Sequence, residues 1–223
     1  MSDRPYDVVT FDCYGTLIDW EGGLAEAFAR AAAADGIKAD RETVLRLYHE
    51  IEPMVEAETY RRYRSVLAET ARRLATRLGW TVSEAQAAFL PESLPGWPPF
   101  LDTNAALERL ARAGYRLGIL SNVDDDLLAG TRRHFTVSFD LLVTAQQVGS
   151  YKPAPGHFQT ARERIGGQRW LHAAQSYFHD VRPARGLGIP VAWINRHGQP
   201  VPADGPRPDR EFRDLDGLAA WLT

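Results

Sequence analysis

Residues 22 to 90 carry almost no strand signal, yet short runs rich in β-branched or aromatic residues stand on either side of them. The first is Val8-Val9-Thr10-Phe11. The later ones are 115–120, 139–143, 170–174 and 191–194. Such runs are too short and too apolar for surface helices and fit buried parallel strands. The run at 170–174 lacks β-branched residues and is the weakest of the five. Helical patterns separate the later runs. Residues 102–113 place Ala106, Leu107 and Leu110 on one face, with Gly114 as the stop, and 155–165, 181–187 and 214–222 read as shorter helices. Strands alternating with helices imply an α/β protein: a Rossmann-like parallel sheet with crossover helices on both faces. The long interruption then reads as an inserted all-α helical domain. Its helices are expected near 22–35, 41–58, 60–78 and 83–89, with Ser83 as an N-cap. The predicted division is 1–20 and 97–223 for the core and 21–96 for the insert. The proline-rich stretch 90–100 is expected to be a stiff linker, and Gly22-Gly23 a flexible joint.

The totals narrow the function classes. A chain of 223 residues with 44% hydrophobic composition can fill one core with residues to spare. Net charge is −3, without a basic stripe, which argues against nucleic acid as a partner. No apolar run reaches the roughly 18 residues a membrane helix needs, so no membrane partner is expected. The first apolar run reads as a strand rather than a signal region. Cys13 is the only cysteine, which excludes an internal disulfide and a cysteine-based zinc site. His134, His157 and His197 are scattered and give no metal-ligand pattern. A cytoplasmic protein is expected.

Four polar groups follow four of the strands: Asp12, Ser121, Lys152 and Asp180. In an open parallel sheet the carboxyl ends of the strands share one edge, where ligands bind. A carboxylate, a hydroxyl, an ammonium and a second carboxylate are therefore expected to converge. Taken singly, each has an ordinary explanation as a turn residue, a helix cap or a solvated side chain.

The ordered motifs Asp12-Cys13-Tyr14-Gly15-Thr16-Leu17, Leu120-Ser121-Asn122, Tyr151-Lys152-Pro153 and His179-Asp180 closely resemble those of the haloacid dehalogenase superfamily. The resemblance runs from about residue 6 to 196, and the helical insert falls where that superfamily carries its cap. It implies a hydrolase with Asp12 as covalent nucleophile, Thr16 bonded to it across the turn, and Lys152 keeping it ionised. Ser121 and Asn122 would hold the substrate's charged group or the leaving group. As a strand-end loop residue, Lys152 is expected to matter for activity and little for stability.

The superfamily's phosphatases carry a second Asp two residues after the nucleophile. Here that position is Tyr14, a poor acid for a leaving alkoxide. They also carry an acid five positions before the last motif Asp, where this chain has Gln175. Tyr14 is what the L-2-haloacid dehalogenase branch tends to have. Halide leaves as a stable anion and needs neither general acid nor metal, so no cofactor is implied. The implied substrate is a small anionic molecule, a 2-substituted carboxylic acid. A Mg²⁺-dependent phosphomonoesterase and a non-catalytic anion- or partner-binding member remain alternatives, and a homodimer is possible. The branch's last-motif loop usually shows Ser and Asn, but here it reads Gln175-Ser176-Tyr177-Phe178-His179-Asp180. The branch also receives the halide on a cap arginine. At the matching place this chain has Met54 and Val55, which leaves Arg61, Arg62, Arg64 and His49 as candidates, each with a solvated helix face as its ordinary reading.

Overall fold

Strand β1 (Val8–Phe11) is buried along its whole length and pairs in parallel with a strand on each side. A computed structural model describes residues 4–223. It places β1 at the centre of a six-stranded parallel sheet of order β3-β2-β1-β4-β5-β6. The others are β2 (Arg116–Ser121), β3 (Leu141–Thr144), β4 (Trp170–Ala174), β5 (Val191–Ile194) and β6 (Arg210–Phe212). The expected α/β fold is therefore present. Strand β4 forms despite its composition because it lies between β1 and β5, and all five of its residues are buried. Strand β6 was not anticipated. It is a short, mostly exposed edge strand with no apolar run to announce it.

The expected helices are present with small shifts. The helices are α1 (Trp20–Ala34), α2 (Arg41–Glu56), α3 (Tyr63–Arg77), α4 (Glu84–Ala87), α5 (Phe89–Ser93), α6 (Thr103–Arg112), α7 (Asp125–Thr131), α8 (Ala145–Val148), α9 (Gly156–Ile165), α10 (Arg182–Gly186) and α11 (Leu215–Leu222). Of these, α5, α7 and α8 are additional to the expected ones. Helices α1 and α2 start on Asp19 and Asp40, whose carboxylates accept from Gly22 and Thr43 N–H. Ser83 caps α4 in a reciprocal capping box with Gln86.

Two expectations for the insert are corrected. The stretch 90–100 is largely not a linker. It holds α5 and a 3₁₀ turn, Leu94–Gly96, which bury Leu90, Pro91 and Leu94. Pro91 and Pro95 sit in first turns, where a missing N–H leaves no bond unmade. Nor do Gly22 and Gly23 form a loose joint, since both lie inside α1. A Cβ on Gly23 would meet the Trp97 ring at 2.2 Å, so this glycine permits close packing.

The chain divides into two compact units. One comprises the described residues up to Ile18, Pro99–Asn122 and His134–Thr223. The other comprises Asp19–Pro98 and Val123–Arg133. The second unit thus takes α7 as well as the inserted helices. A reason lies at the start of α3, where the flanking Arg62 provides no side-chain cap. The carboxylate of Asp124 accepts instead from Tyr63 N–H (3.0 Å) and Arg64 N–H (2.9 Å), satisfying two donors a helix start leaves open. Among the described residues no helix is long and apolar enough to cross a membrane.

Candidate active site

At the carboxyl edge of the sheet the chain places Asp12 directly after β1, and Ser121 as the last residue of β2. Asp180 lies in a wide π-type turn, Tyr177–Val181, that follows β4. Lys152 comes from the loop between α8 and α9 and is 1% exposed. Its ammonium has three hydrogens and three acceptors: Asp12 Oδ1 at 2.9 Å, Asp180 Oδ1 at 2.6 Å and Leu120 O at 2.9 Å. The second oxygen of Asp12 accepts from Thr16 Oγ1 at 3.0 Å, and the Thr16 hydroxyl in turn accepts from Gln175 N–H at 2.9 Å. Asp12, Thr16, Lys152 and Asp180 are thus brought together as one hydrogen-bonded group.

Asn122 sits differently from expectation. Its amide grips the main chain of Lys152 from both ends, donating to Lys152 O (3.0 Å) and accepting from Lys152 N–H (2.7 Å). The side chain expected to hold substrate therefore sets the lysine backbone. Ser121 Oγ is buried and has no protein partner, as is Asp180 Oδ2. Tyr14 is half-buried in the turn after β1, whose backbone pairs Tyr14 with Ile18. Ser176 caps the π-type turn, accepting from His179 N–H and lying 3.0 Å from His179 Nδ1.

Two carboxylates share one ammonium in a dry place, and their acidities diverge. Burial pushes Asp12 above the ordinary carboxylate value, and repulsion from Asp180 adds to this, against the pull of Lys152 and the Thr16 hydroxyl. Burial would also raise Asp180, but Lys152 and a hydrogen bond from His172 outweigh it and hold its carboxyl at about 2. Burial alone would lower Lys152; the two carboxylates reverse this and raise it. The lysine stays charged and the site keeps a carboxylate against it.

Two histidines that looked incidental in sequence belong here. His157, at the start of α9, lies with Nε2 3.0 Å from Ser121 O, and burial, aided by Lys152, lowers it to about 3. His172, inside β4, reaches Asp180. Spacing gives no signal for either: His157 reaches the end of β2 from α9, and His172 reaches the turn that follows its own strand.

In the helical unit, Arg61 is paired with Glu58, and Arg64 reaches Asp126 at 2.6 Å. Arg62 is exposed at the start of α3 and makes no ion pair among the described residues. His49 is exposed, with its ring edge-on to Trp20. One partly buried polar cluster of this unit is acidic and phenolic: Tyr48 Oη lies 3.1 Å from Tyr63 Oη, which donates to Glu52 at 3.1 Å. Burial pushes Glu52 up to about 7, against that hydrogen bond.

Among the described residues no three His, Cys, Asp or Glu side chains gather to hold a metal. The donor set does not fit Mg²⁺: Asp12 and Asp180 already share an ammonium, and Tyr14 and Gln175 add no carboxylate.

Known proteins resemble this chain over most of its length. The family model for haloacid dehalogenase-like hydrolases matches residues 6–178. The (S)-2-haloacid dehalogenase H-109 of Pseudomonas putida is 29% identical, with 98% of this chain and 99% of that protein aligned. A second (S)-2-haloacid dehalogenase of Pseudomonas putida is 25% identical over 96% of this chain and 95% of its own length. Among solved structures, the L-2-haloacid dehalogenase of Xanthobacter autotrophicus superposes with a TM-score of 0.84 at 22% identity, covering 97% of this chain and 98% of that one. At that identity the likeness shows the fold.

Proposed function

The chain belongs to the haloacid dehalogenase-like hydrolase family, and from that premise we propose that it hydrolyses the carbon–halogen bond of a small 2-haloacid through an ester on Asp12. The observation that carries this reading is the ammonium of Lys152, which joins Asp12 and Asp180 while Thr16 takes the other Asp12 oxygen. Full-length similarity to (S)-2-haloacid dehalogenases supports the substrate class.

In the proposed reaction an Asp12 oxygen attacks C2 of the substrate, the C–O bond forms, and the carbon–halogen bond breaks with its electron pair on the halide. No proton is required at this step, in keeping with Tyr14 in place of an acid. Exclusion of water strengthens a buried carboxylate as nucleophile, and Lys152 and Thr16 orient it. Water then adds to the Asp12 carboxyl carbon, with Asp180 taking its proton. The bond between that carbon and the substrate oxygen breaks, Asp180 returns its proton to the departing oxygen to give the 2-hydroxy acid, and Asp12 sheds the proton of the added hydroxyl to solvent and is restored as a carboxylate. Ser121 Oγ, buried without a protein partner, is assigned to the substrate carboxylate. Asn122 acts through the Lys152 main chain. Of the residues in 21–96 that the resemblance offers as halide acceptors, Arg61 and Arg64 are already paired, which leaves Arg62 and His49.

A product screen tests the reading. Incubation with L-2-chloropropionate should release chloride and D-lactate in equal amounts, whereas phosphate release from phosphomonoesters without halide release from any haloacid would overturn it. Dehalogenation should run at the same rate in EDTA as in added Mg²⁺, since no step uses a cation; a strict Mg²⁺ requirement would favour a phosphatase.

The acid limb of the rate profile should reflect Asp12. The nucleophile must be ionised, and burial raises its pKa. Activity is then present above the raised value and lost as pH falls through it, so single-turnover alkylation should fade at a pH above the ordinary Asp value of about 3.9. A limb at or below that value would contradict the assignment.

A further inference from the structure

His172 is fully buried in β4, and both its ring nitrogens are engaged. Nδ1 lies 2.8 Å from Thr10 Oγ1 and Nε2 lies 3.0 Å from Asp180 Oδ1. Thr10 is its register partner on β1. The indole of Trp170 donates to the same Thr10 hydroxyl at 2.7 Å. Donor and acceptor counting orders this chain of bonds. An indole N–H only donates, so Thr10 Oγ1 accepts from it. The hydroxyl's own hydrogen then has His172 Nδ1 as its side-chain acceptor, and leaving it unpaired in the core would be costly. A hydroxyl donating to Nδ1 puts the ring hydrogen on Nε2, which donates to Asp180.

We propose that His172 is a positioning residue: Trp170 and Thr10 set its tautomer, and its Nε2–H pins Asp180 so that Oδ2 faces the water that cleaves the ester. This rests on the Asp12 ester reading above. Lys152 and His172 both bind Oδ1, while Oδ2 is buried without a protein partner. With Lys152 alone, either oxygen of Asp180 could turn to the ammonium. Two donors from different strands and loops remove that freedom. The charged and titratable groups around Asp180 are Lys152, Asp12, His172, His157 and its neighbour His179. The His172 bond is one of the interactions that lower Asp180.

The test uses the full chain, with His172→Leu and His172→Gln, the latter keeping a donor on the side chain. Rapid-quench single turnover of L-2-chloropropionate separates chloride release, which reports ester formation, from lactate release, which reports ester hydrolysis. In His172→Leu, lactate release should slow roughly 10- to 100-fold, as for other hydrogen-bond partners of reacting groups, while chloride release stays within about threefold and the ester accumulates. The acid limb of the hydrolysis step should rise by about one pH unit, and His172→Gln should recover most of the lost rate. Equal slowing of both steps, with no shift of the limb, would overturn the proposal in favour of a merely structural histidine. A readout without substrate keeps the two proposals separate. In ¹⁵N-histidine spectra of the wild type, His172 should show a protonated Nε2 and an unprotonated Nδ1, and the ¹³C carboxyl midpoint of Asp180 should rise in His172→Leu. An Nδ1–H or doubly protonated ring near neutral pH, or an unmoved Asp180 midpoint, would overturn the positioning role even if no haloacid is turned over.

Discussion

Asp12→Asn is expected to lose turnover by at least about 10³-fold while remaining folded. Asparagine keeps the shape of the side chain. Its carbonyl oxygen can still accept from Lys152, and Asp180 remains beside the ammonium to balance its charge. The lost feature is the charged oxygen of the proposed nucleophile. An amide oxygen carries little of the negative charge that displaces a halide from carbon. Circular dichroism and thermal unfolding should match the wild type within a few degrees. A companion experiment identifies the atom involved: over several turnovers in H₂¹⁸O with limiting enzyme, mass spectrometry should find the label in Asp12, because in the proposed mechanism water attacks the aspartyl carbon. Heavy oxygen in the product alone from the first cycle onward would point to direct attack by water, and an Asp12→Asn variant with a tenth of wild-type activity would do the same.

Lys152→Ala should cost both activity and stability. From sequence, Lys152 is a loop residue expected to contribute little to stability. The structure corrects this, since it is among the largest fully buried side chains of the protein. Removing it leaves two carboxylates in a dry site without their cation and frees the carbonyl of Leu120. Breaking a buried ionic group in this way costs about 3–5 kcal/mol, which for a chain of this size corresponds to a fall in Tm of the order of 10 °C. Turnover should drop by about 10³-fold, because the nucleophile loses both its orientation and the charge that keeps it ionised. The stability deficit should shrink on acidification. Asp12 has a raised affinity for protons even with lysine present, and without lysine it takes one up more readily, which relieves the repulsion. A variant as stable as wild type at neutral pH would mean the site is wetter than its burial indicates.

Much of the framework was legible because it is written in local patterns. Apolar runs of strand length gave β1 to β5, Ser83 as a cap gave the start of α4, and the order of polar residues after the strands singled out Asp12, Ser121, Lys152 and Asp180. What stayed hidden depends on contacts between distant residues. The depth of Lys152 follows from Asn122 holding its main chain and from acceptors on β1, β2 and the turn after β4. His172 and Thr10 look like unrelated polar residues inside two apolar runs until the register sets them side by side. Helix α5 was hidden because prolines usually break helices, and here they occupy first turns. Strand β6 has no core face to leave a period in its residues.

The carboxylate of Asp124 that caps α3 bears on how this protein can be engineered. The helical unit is not a single cassette. Cutting at its flanks, after Ile18 and before Pro99, would excise α3 without the acid that satisfies its first N–H groups, because Asp124 lies on the segment that follows Ser121 and Asn122. Grafting these helices onto a foreign core would therefore require Val123–Arg133 to travel with them, spliced one residue beyond the Asn122 that holds Lys152. Because Asp124 lies so close in the chain to the residue that holds Lys152, libraries that shuffle the insert should keep Asp124 fixed and vary only what does not touch it.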